Sequence, residues 1–212
     1  MIFRNLAKLG LVLSLAGTAA MSPLRAPAAE QPQAAPTEVI SKFYDGLTAS
    51  MRAGPSLGGE GRYRKLEPLV DATFNLPLMT QVAVGPSWGS LASDQQSKLI
   101  EAFRRFTIAS YASHFDSYDG ERFDVQPEPQ AMAGGTLVLS RLVPKDKQPI
   151  VLNYVMRQTD GVWQAIDVYA EGTISELARR RSEFSSVLRR NGVEALTDRL
   201  VEKAQTLLDE PA

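Results

Sequence analysis

The sequence predicts an α+β fold in which helices at both ends of the chain cover one antiparallel sheet. Up to about residue 115, apolar residues recur every three or four positions, which is the spacing of helices that bury one face. Between residues 123 and 170 the pattern changes to segments rich in Val, Ile and Tyr that short turns connect. After residue 174 the helical spacing returns. The sequence therefore predicts a four-stranded antiparallel sheet with helices on one face.

The beginning of the chain has the features of a secretory signal peptide. Arg4 and Lys8 precede a short apolar stretch, and Ala26-Pro27-Ala28 supplies the small residues of a cleavage site. An uncleaved anchor is the alternative, which the Ala-rich end disfavours. We therefore expect an exported, periplasmic protein. Its predicted parts are a signal peptide at 1–28, a disordered linker at 29–36 and a single domain at 37–212.

The charge balance and the absence of cysteine limit the classes of function. The chain has 23 Lys and Arg against 24 Asp and Glu, and loss of the signal peptide removes three basic residues, which leaves 20 against 24. Because nucleic-acid binding needs a basic surface, this class of partner is not expected. The chain has no cysteine and one histidine, so neither a disulfide framework nor a zinc site is predicted, and no cofactor or metal is expected.

Three helices are predicted in the first half of the domain before the longest one. The first begins at Thr37 and is stopped by a flexible Gly-rich loop, Ala53–Gly61. The second follows over Tyr63–Val70. A short apolar helix lies within Phe74–Val84 and has Pro77 in its first turn, where proline is tolerated.

The longest helix is predicted to begin at Ser93 as N-cap, with Gln96 reaching back to complete a capping box, and to end near Phe115. Its apolar residues share one face at about 100° per residue. We expect this helix to cover the sheet.

Four strands are predicted in the middle of the chain, with a turn at Ala133-Gly134-Gly135 and a tight hairpin at Thr159-Asp160-Gly161. Their predicted extents are 123–127, 137–143, 150–158 and 162–170.

Two helices are predicted to close the chain. Ile174, Leu177 and Phe184 share one face of the first helix, Asn191-Gly192 ends it, and the second begins at Val193.

The segment Gly85–Gly89 spells G-x-S-x-G, the pattern of a serine nucleophile elbow. That motif needs a buried parallel strand before the serine, whereas the segment before Ser87 is a predicted helix and Pro86 directly precedes the serine. The sole histidine, His114, lies on the apolar face of the longest helix, where a hydrogen-bonded core or rim role is typical. No catalytic residue is therefore predicted, and the protein is not expected to be an enzyme.

An enzyme of the NTF2-like kind, acting on a small hydrophobic substrate, is the alternative. Such an enzyme needs an acid inside its cavity, and Asp167 is the candidate because it shares a strand face with Trp163, Ala165 and Tyr169. The other interpretation of Asp167 is a carboxylate that faces solvent or orients a helix.

Large apolar residues are frequent before Trp88, along the longest helix and on the third strand, and from their pattern they fit either a solid core or a cavity. Several motifs recur in one order over nearly the whole domain: Phe74, Leu78-Met79, Gly85, Trp88, Ala102-Phe103, Tyr111, Tyr154, Gly161, Trp163, Ile166-Asp167-Val168, Glu171-Gly172, Phe184 and Gly192. In this order they resemble the MlaC, or toluene-tolerance auxiliary, family of periplasmic lipid-binding proteins. The segments Ile174–Ala178 and Arg180–Phe184 are similar to the hopanoid-associated branch of that family, HpnM.

The resemblance implies a curved sheet covered by helices, with an apolar cavity between them that holds acyl tails. It also implies a carrier, monomeric and without a catalytic serine at position 87, that shuttles phospholipid or a hopanoid-type lipid between inner- and outer-membrane complexes. A scaffold protein with an ordinary core is a third interpretation. The residues expected to bind lipid are Leu78, Met79, Val82, Val84, Trp88, Phe103, Phe106, Tyr111, Leu139, Leu152, Tyr154, Met156, Ile166, Val168 and Tyr169.

The strongest local charge feature is the run Arg179-Arg180-Arg181, followed by Arg189-Arg190. One interpretation is a solvated helix face on which Glu176 and Glu183 pair with these arginines. The functional interpretation assigns Arg179, Arg180, Arg189 and Arg190 to docking with membrane-bound lipid-transport complexes or anionic headgroups, because the guanidinium fork matches phosphate and carboxylate.

Overall fold

The computed structural model describes residues 35–210. The predicted signal peptide and residues 29–34 of the predicted linker lie outside the described residues. The described chain forms helices packed on one antiparallel sheet, so the predicted α+β class is confirmed. None of the described helices has an apolar stretch long enough to cross a membrane.

Within residues 35–210 the helical part consists of four α-helices and one short 3₁₀ helix. All but the last precede the sheet, as the sequence predicts. Their bounds are α1 Pro36–Thr73, α2 Leu76–Val84, the 3₁₀ helix Gly85–Ser90, α3 Ser93–His114 and α4 Glu176–Asp209.

Helix α1 is folded back on itself at Gly58. The φ of 62° and ψ of 176° at this residue lie outside the helical region, in a conformation that glycine adopts without strain. After Gly58 the Lys65 ammonium donates to the carbonyl of Ala49 at 3.1 Å, so the second half runs back along the first. The two predicted helices are therefore present, but the predicted loop Ala53–Gly61 is wrong because the reversal takes little more than one residue.

The buried side chain of Arg62 ties this reversal to the end of α3. Arg62 is 1% exposed, and its Nε and Nη1 donate to the carbonyls of Ala112 at 2.7 Å and Gly54 at 3.2 Å. A Cβ atom on Gly54 would lie 1.8 Å from the carbonyl oxygen of Asp116, so the two backbones are in direct contact there. A cation at this position also suits the negative end of the α3 dipole.

Helix α4 is interrupted at Gly192, whose φ of 82° and ψ of −179° are not helical. The predicted break at Asn191-Gly192 is therefore confirmed. After the break Gln95 bonds Glu194 at 2.7 Å and Arg105 bonds Gln205 at 2.9 Å, so the second half of α4 follows α3.

The predicted cap of α3 is displaced by one residue. Ala92 occupies the N-cap position, and its N–H donates to the Gln95 side chain at 3.0 Å. The side-chain amide of Gln96 instead donates to the carbonyl of Trp88 at 3.0 Å, and this bond attaches the 3₁₀ helix to the start of α3.

The described part of the chain contains seven short strands instead of four. The predicted strand 137–143 is present as two pieces with a bend at Leu139, and two further short strands are added, the last of which contains Ile174, a residue predicted to be helical. The strands are β1 Arg122–Val125, β2 Gln130–Met132, β3 Gly135–Val138, β4 Ser140–Val143, β5 Ile150–Thr159, β6 Val162–Ala170 and β7 Ile174–Ser175.

Strand β5 lies at the centre of the sheet and pairs with three other strands. One edge of β5 pairs with β4 near its beginning and with β3 further along, while the other edge pairs with β6, which pairs with β7. The bend between β3 and β4 is held by the side chain of Asn153, which accepts from the N–H of Ser140 at 3.1 Å. All the pairings between these seven strands are antiparallel, and an isolated parallel bridge joins Phe74 to Ala165 of β6.

The helix that covers most of the sheet is not the predicted one, α3. Helix α1 makes the most extensive contact with the strands, and α2 and α4 contact β6, whereas α3 packs mainly on α1, α2 and α4. The main core is consequently between α1 and the sheet, around Phe43, Phe74 and Tyr154. The separation of α3 from the strands leaves space between them.

Candidate functional site

A cavity of about 320 Å³ lies between α3, the beginning of α4 and the inner face of β5 and β6. Helix α3 and the residue after it contribute Phe103, Phe106, Thr107, Ser110, Tyr111, His114 and Phe115. The sheet contributes Leu152, Tyr154, Val168 and Ala170, and the remaining walls are Phe74, Met79, Glu176, Leu177, Arg179 and Arg180.

The helical wall follows from the sequence of α3. Residues three and four positions apart lie on one face of a helix, and Phe103, Phe106, Thr107, Ser110 and Tyr111 have this spacing. One continuous stripe of α3 therefore faces the cavity, and His114 extends it by a further turn.

The sheet wall follows from alternation along two paired strands. Leu152 and Tyr154 of β5 are two positions apart, as are Val168 and Ala170 of β6, so each pair shares a face. The register places Leu152 opposite Ala170 and Tyr154 opposite Val168, which brings all four side chains to the same side of the sheet.

The deep end of the cavity rests on a cluster of aromatic rings. The ring centroid of Phe43 lies 5.3 Å from that of Phe74 and 5.2 Å from that of Tyr111, and both pairs pack edge to face. The ring centroid of Tyr154 lies 6.3 Å from that of Phe43. Edge-to-face packing stabilises aromatic pairs beyond the area that they bury. The rings of Tyr111 and Tyr154 are thus held in place by the core and not by a ligand.

A pair of bonded hydroxyl groups lies beside this cluster. The Tyr44 hydroxyl bonds Ser140 Oγ at 2.7 Å. Ser140 Oγ in turn donates to the carbonyl of Leu152. Burial raises the pKa of Tyr44 to about 12, and burial also raises the pKa of Tyr111 and Tyr154. These hydroxyls therefore keep their protons at neutral pH.

Charged side chains surround the opposite end of the cavity, which we call the mouth and define by His114, Glu176, Arg179 and Arg180. The Arg180 guanidinium lies 4.7 Å from the centre of the Phe106 ring, and its side chain is 20% exposed. Arg179, which is 51% exposed, pairs with Glu176 at 2.5 Å and with Glu183 at 3.7 Å, and Arg180 pairs with Glu183 at 3.2 Å. The cavity is thus mainly apolar inside and lined by ion-paired arginines and glutamates where it meets solvent, a contrast that suits an amphiphilic ligand.

The structure gathers seven of the fifteen predicted lipid-binding residues around one cavity. These are Met79, Phe103, Phe106, Tyr111, Leu152, Tyr154 and Val168. Arg179 and Arg180, predicted as docking residues, lie at its mouth, whereas Arg189 and Arg190 are exposed further along α4 and do not line it.

The other eight predicted residues do not line this cavity, and their assignment to lipid binding stays a prediction. Val84 and Met156 are fully buried in the core, whereas Val82 is 42% exposed. Ile166 is the extra residue of a β-bulge, since Val155 pairs with Asp167 and Met156 with Ala165. The remaining four are Leu78, Trp88, Leu139 and Tyr169.

Tyr169 and Leu139 have identifiable reasons for lying elsewhere. Tyr169 falls between Val168 and Ala170, so it faces the other side of β6. Leu139 is at the bend between β3 and β4 and borders a separate surface depression beside Arg141.

Several cavity residues were not among the predicted lipid-binding residues. The polar members of the α3 stripe, Thr107, Ser110 and His114, could have been found from the same helical spacing that selected Phe103 and Tyr111. Whether Glu176 and Leu177 line the cavity depends on how α4 packs across it, and no local sequence pattern predicts this packing.

The structure also shows where Ser87 and Asp167 lie. Ser87 is exposed in the 3₁₀ helix, and the Nδ1 atom of His114 bonds the carbonyl of Ser110 at 2.7 Å. Asp167 lies outside the cavity, where it accepts hydrogen bonds from Ser175 Oγ at 2.6 Å and the N–H of Leu177 at 3.0 Å. Asp167 therefore orients the beginning of α4, and the inward acid that the enzyme alternative requires is not supplied by this residue.

Two comparisons relate the chain to known proteins. The family model described as MlaC protein matches residues 41–202. Among solved structures, the chain is similar to a phospholipid-binding protein from Ralstonia solanacearum, determined in complex with a phospholipid. The TM-score is 0.68 at 23% sequence identity, over 82% of this chain and 99% of that chain, which establishes a common fold.

Proposed function

This chain belongs to the MlaC family, and on that premise we propose that it is a periplasmic phospholipid carrier that encloses an acyl tail in the cavity. The observation that carries the proposal is the contrast between the walls of the cavity, which are mainly apolar side chains such as Met79, Phe103 and Val168, and its mouth, which bears Arg179 and Arg180. An acyl tail fits the walls, and a phosphate fits the guanidinium groups at the mouth.

The energetics explain why a carrier needs such a cavity. Removing each CH₂ from water is worth ~0.8 kcal/mol, so an exposed tail of sixteen carbons costs roughly 12 kcal/mol. The cavity offers an environment comparable to the bilayer interior and thereby lowers the barrier to leaving it. No bond has to be made or broken in this process.

The volume of the cavity sets the amount of hydrocarbon that it holds. A dry cavity of about 150 Å³ is known to accept benzene, which has six carbon atoms. By the same ratio, 320 Å³ accepts on the order of a dozen carbons, or most of one acyl tail. We therefore propose that one tail is enclosed, while a second tail would require α3 and α4 to move away from the sheet.

Delivery between membrane complexes is assigned to a separate surface. Arg189 and Arg190 are exposed on α4 and lie outside the cavity, which suits docking to an acidic surface of a membrane-bound, ABC transporter-associated complex. Arg179 and Arg180 are assigned to the headgroup. Phospholipid and a hopanoid-type lipid are the two cargo classes proposed.

Organic extraction of the purified protein, followed by mass spectrometry, tests the cargo. We expect about one lipid per chain, and a preparation that neither contains lipid nor takes it up from phospholipid vesicles would refute the proposal. The double variant Arg189→Glu/Arg190→Glu should keep its lipid but deliver it more slowly to membranes that contain the partner complex. Equal loss of bound lipid in this variant would contradict the separation of the two surfaces.

A further inference from the structure

Large apolar side chains are exposed at the end of the sheet beside the cavity. Among the described residues, Ile150 and Val151 at the beginning of β5 and Ile174 in β7 are exposed to solvent. A Cβ atom on Gly172 would lie 3.5 Å from Val151 Cγ1, so the turn between β6 and β7 lies beside the beginning of β5. Single exposed apolar residues are ordinary, but a group of them beside a cavity indicates an interaction surface.

The pairing of the strands places two of these side chains in line with the cavity. Leu152 lies opposite Ala170, and Ala170 lies opposite Ile174, so the three residues form one row across β5, β6 and β7. Leu152 and Ala170 line the cavity. Ile150 precedes Leu152 by two positions and shares its face of β5. Ile150 and Ile174 therefore continue the apolar sheet wall beyond the cavity, and we call these two residues the lip.

The lip gives the two sides of the mouth a different chemistry. On the side of the helices the mouth has the ion-paired side chains of Arg179, Glu176 and Arg180. On the side of the sheet the wall passes from Leu152 and Ala170 to the lip without a charged residue in the row. A lipid at the mouth can thus keep its headgroup on the helical side while its tail remains in contact with the sheet.

The size of the lip distinguishes between a second tail and a bilayer as its occupant. A tail stored in water needs cover along its whole length, because each CH₂ that stays in water costs free energy. Ile150 and Ile174 can cover only a few of its carbons. A bilayer surface needs no such cover, since its own tails surround apolar side chains that enter it. Val151 faces the other side of β5 and is also exposed, as expected for a strand end that enters a surface.

The charges around the lip do not favour either sign. The exposed residues Lys145, Asp146 and Lys147 precede Ile150 on the loop before β5, and the exposed Glu171 lies on the turn before β7. Contact of the lip with a bilayer therefore depends on apolar surface and should respond little to salt, whereas docking through Arg189 and Arg190 should weaken as salt rises.

We propose that the lip enters the surface of a phospholipid bilayer and joins the cavity to it; the proposal rests on the lipid-carrier function above and names the surface at which the exchange takes place. A tail that moves between bilayer and cavity then slides along Ile150, Ile174 and the row behind them instead of crossing water. The lip lies outside the cavity, so it lowers the barrier to entry and to exit equally. It changes the rate of transfer and leaves the final distribution of lipid unchanged.

The rate is tested with the double variant Ile150→Ser/Ile174→Ser. Delipidated full-length protein takes up a labelled phospholipid from phosphatidylcholine vesicles that contain no protein. Uptake by the variant should be about tenfold slower, equivalent to about 1.4 kcal/mol in the barrier, while the final amount of bound lipid stays within about twofold of the parent. The matched control is Val162→Ser/Val201→Ser, because both valines are exposed and lie outside the cavity, and it should keep the parent rate.

The position of the lip is tested with a fluorescent label, which the absence of cysteine from the chain makes specific. A polarity-sensitive dye is attached to Ile174→Cys, and to Val162→Cys as the control, in protein that is already loaded with lipid. Emission from the dye at position 174 should shift to shorter wavelength when phosphatidylcholine vesicles are added, and high salt should not abolish the shift. Emission from the dye at position 162 should not change.

Three results would overturn the proposal. One is an unchanged uptake rate in Ile150→Ser/Ile174→Ser, which would leave a protein partner as the occupant of the lip. Another is a loss of the final amount of bound phospholipid in this variant, with decanoic acid still bound from solution as tightly as by the parent, which would indicate a second tail on the lip. The third is equal emission from the two labelled positions.

The same experiments separate the lip from the carrier function. If the parent protein takes up phospholipid and the variant matches it in rate, only the role of the lip fails. If the parent binds neither decanoic acid nor phospholipid from vesicles, the carrier function fails, and the role of the lip fails with it.

Discussion

Filling the cavity with a side chain should displace the tail that it holds. Val168 is the position of choice because it lines the cavity on β6, opposite Tyr154, and aromatic residues are well tolerated in strands. In Val168→Phe the larger side chain points into space that the protein leaves empty, so the substitution does not overpack the core. The expected result is a folded protein with weakened lipid binding.

The magnitude follows from the carbon atoms exchanged. Phenylalanine adds about four side-chain carbons to valine, in a cavity with room for on the order of a dozen. At ~0.8 kcal/mol for each CH₂ that returns to water, the loss is about 3 kcal/mol, or roughly two orders of magnitude in affinity. The free energy of unfolding of the lipid-free protein should not fall, because the new ring buries additional apolar surface.

Lipid affinity and stability are measured together, by equilibrium uptake of a labelled phospholipid and by urea unfolding of delipidated protein. Val162→Phe is the matched control, since Val162 is on the same strand, is 56% exposed and lies outside the cavity. Unchanged affinity in Val168→Phe, with the variant as stable as its parent, would refute the assignment of the cavity as the tail site. An equal loss in Val162→Phe would point to a general effect on β6 instead.

Three further changes test how the protein around the cavity is held together. Arg62→Met leaves two buried carbonyls without their donor and should lower the free energy of unfolding in urea by roughly 2–4 kcal/mol, whereas the exposed Arg64→Met should change it by less than ~0.5 kcal/mol. Gly54→Ala places a methyl group 1.8 Å from a backbone oxygen and should cost more than about 2 kcal/mol in thermal unfolding, while Gly89→Ala, with nothing within 4 Å, should be neutral. Burial raises the pKa of Tyr44 from 10.0 to about 12, so the contribution of this hydroxyl to stability is complete below pH 10 and falls by up to about 1.4 kcal/mol per pH unit towards pH 12. Tyr44→Phe should therefore flatten the fall of the unfolding free energy with pH, measured by urea unfolding across this range. An unchanged slope in the variant would contradict this prediction.

Most elements could be predicted because their signals are local. The apolar spacing of α3 and the hairpin at Asp160-Gly161 depend on residues close in sequence, and both are where the sequence places them. The break at Gly192 is equally local. The loop predicted around Gly58 was wrong because the glycines there indicated irregular structure. Packing of one half of α1 on the other instead keeps almost all of this segment helical.

The charge run at the start of α4 shows what local patterns miss. Three consecutive arginines form one feature in the sequence, yet a helix turns by about 100° per residue and sends them in different directions. Arg179 pairs with Glu176, Arg180 lies over the ring of Phe106, and Arg181 lies beside Gly85, 3.0 Å from where a Cβ atom would be. Only the packing of α4 against α3 and α2 decides which of them reaches a ligand.

The cavity itself is the feature that the residues alone could not separate from a core. The stripe from Phe103 to Tyr111 would be equally suitable for direct packing on the sheet, since both outcomes require the same apolar face. What keeps α3 away from β5 and β6 is long-range: α1 already occupies most of the sheet face, and Asp167 fixes the start of α4 beside the gap. The hydroxyls of Thr107 and Ser110 do not separate the two outcomes either, because each donates to the carbonyl four residues before it, that of Phe103 or Phe106, and so has a partner within α3.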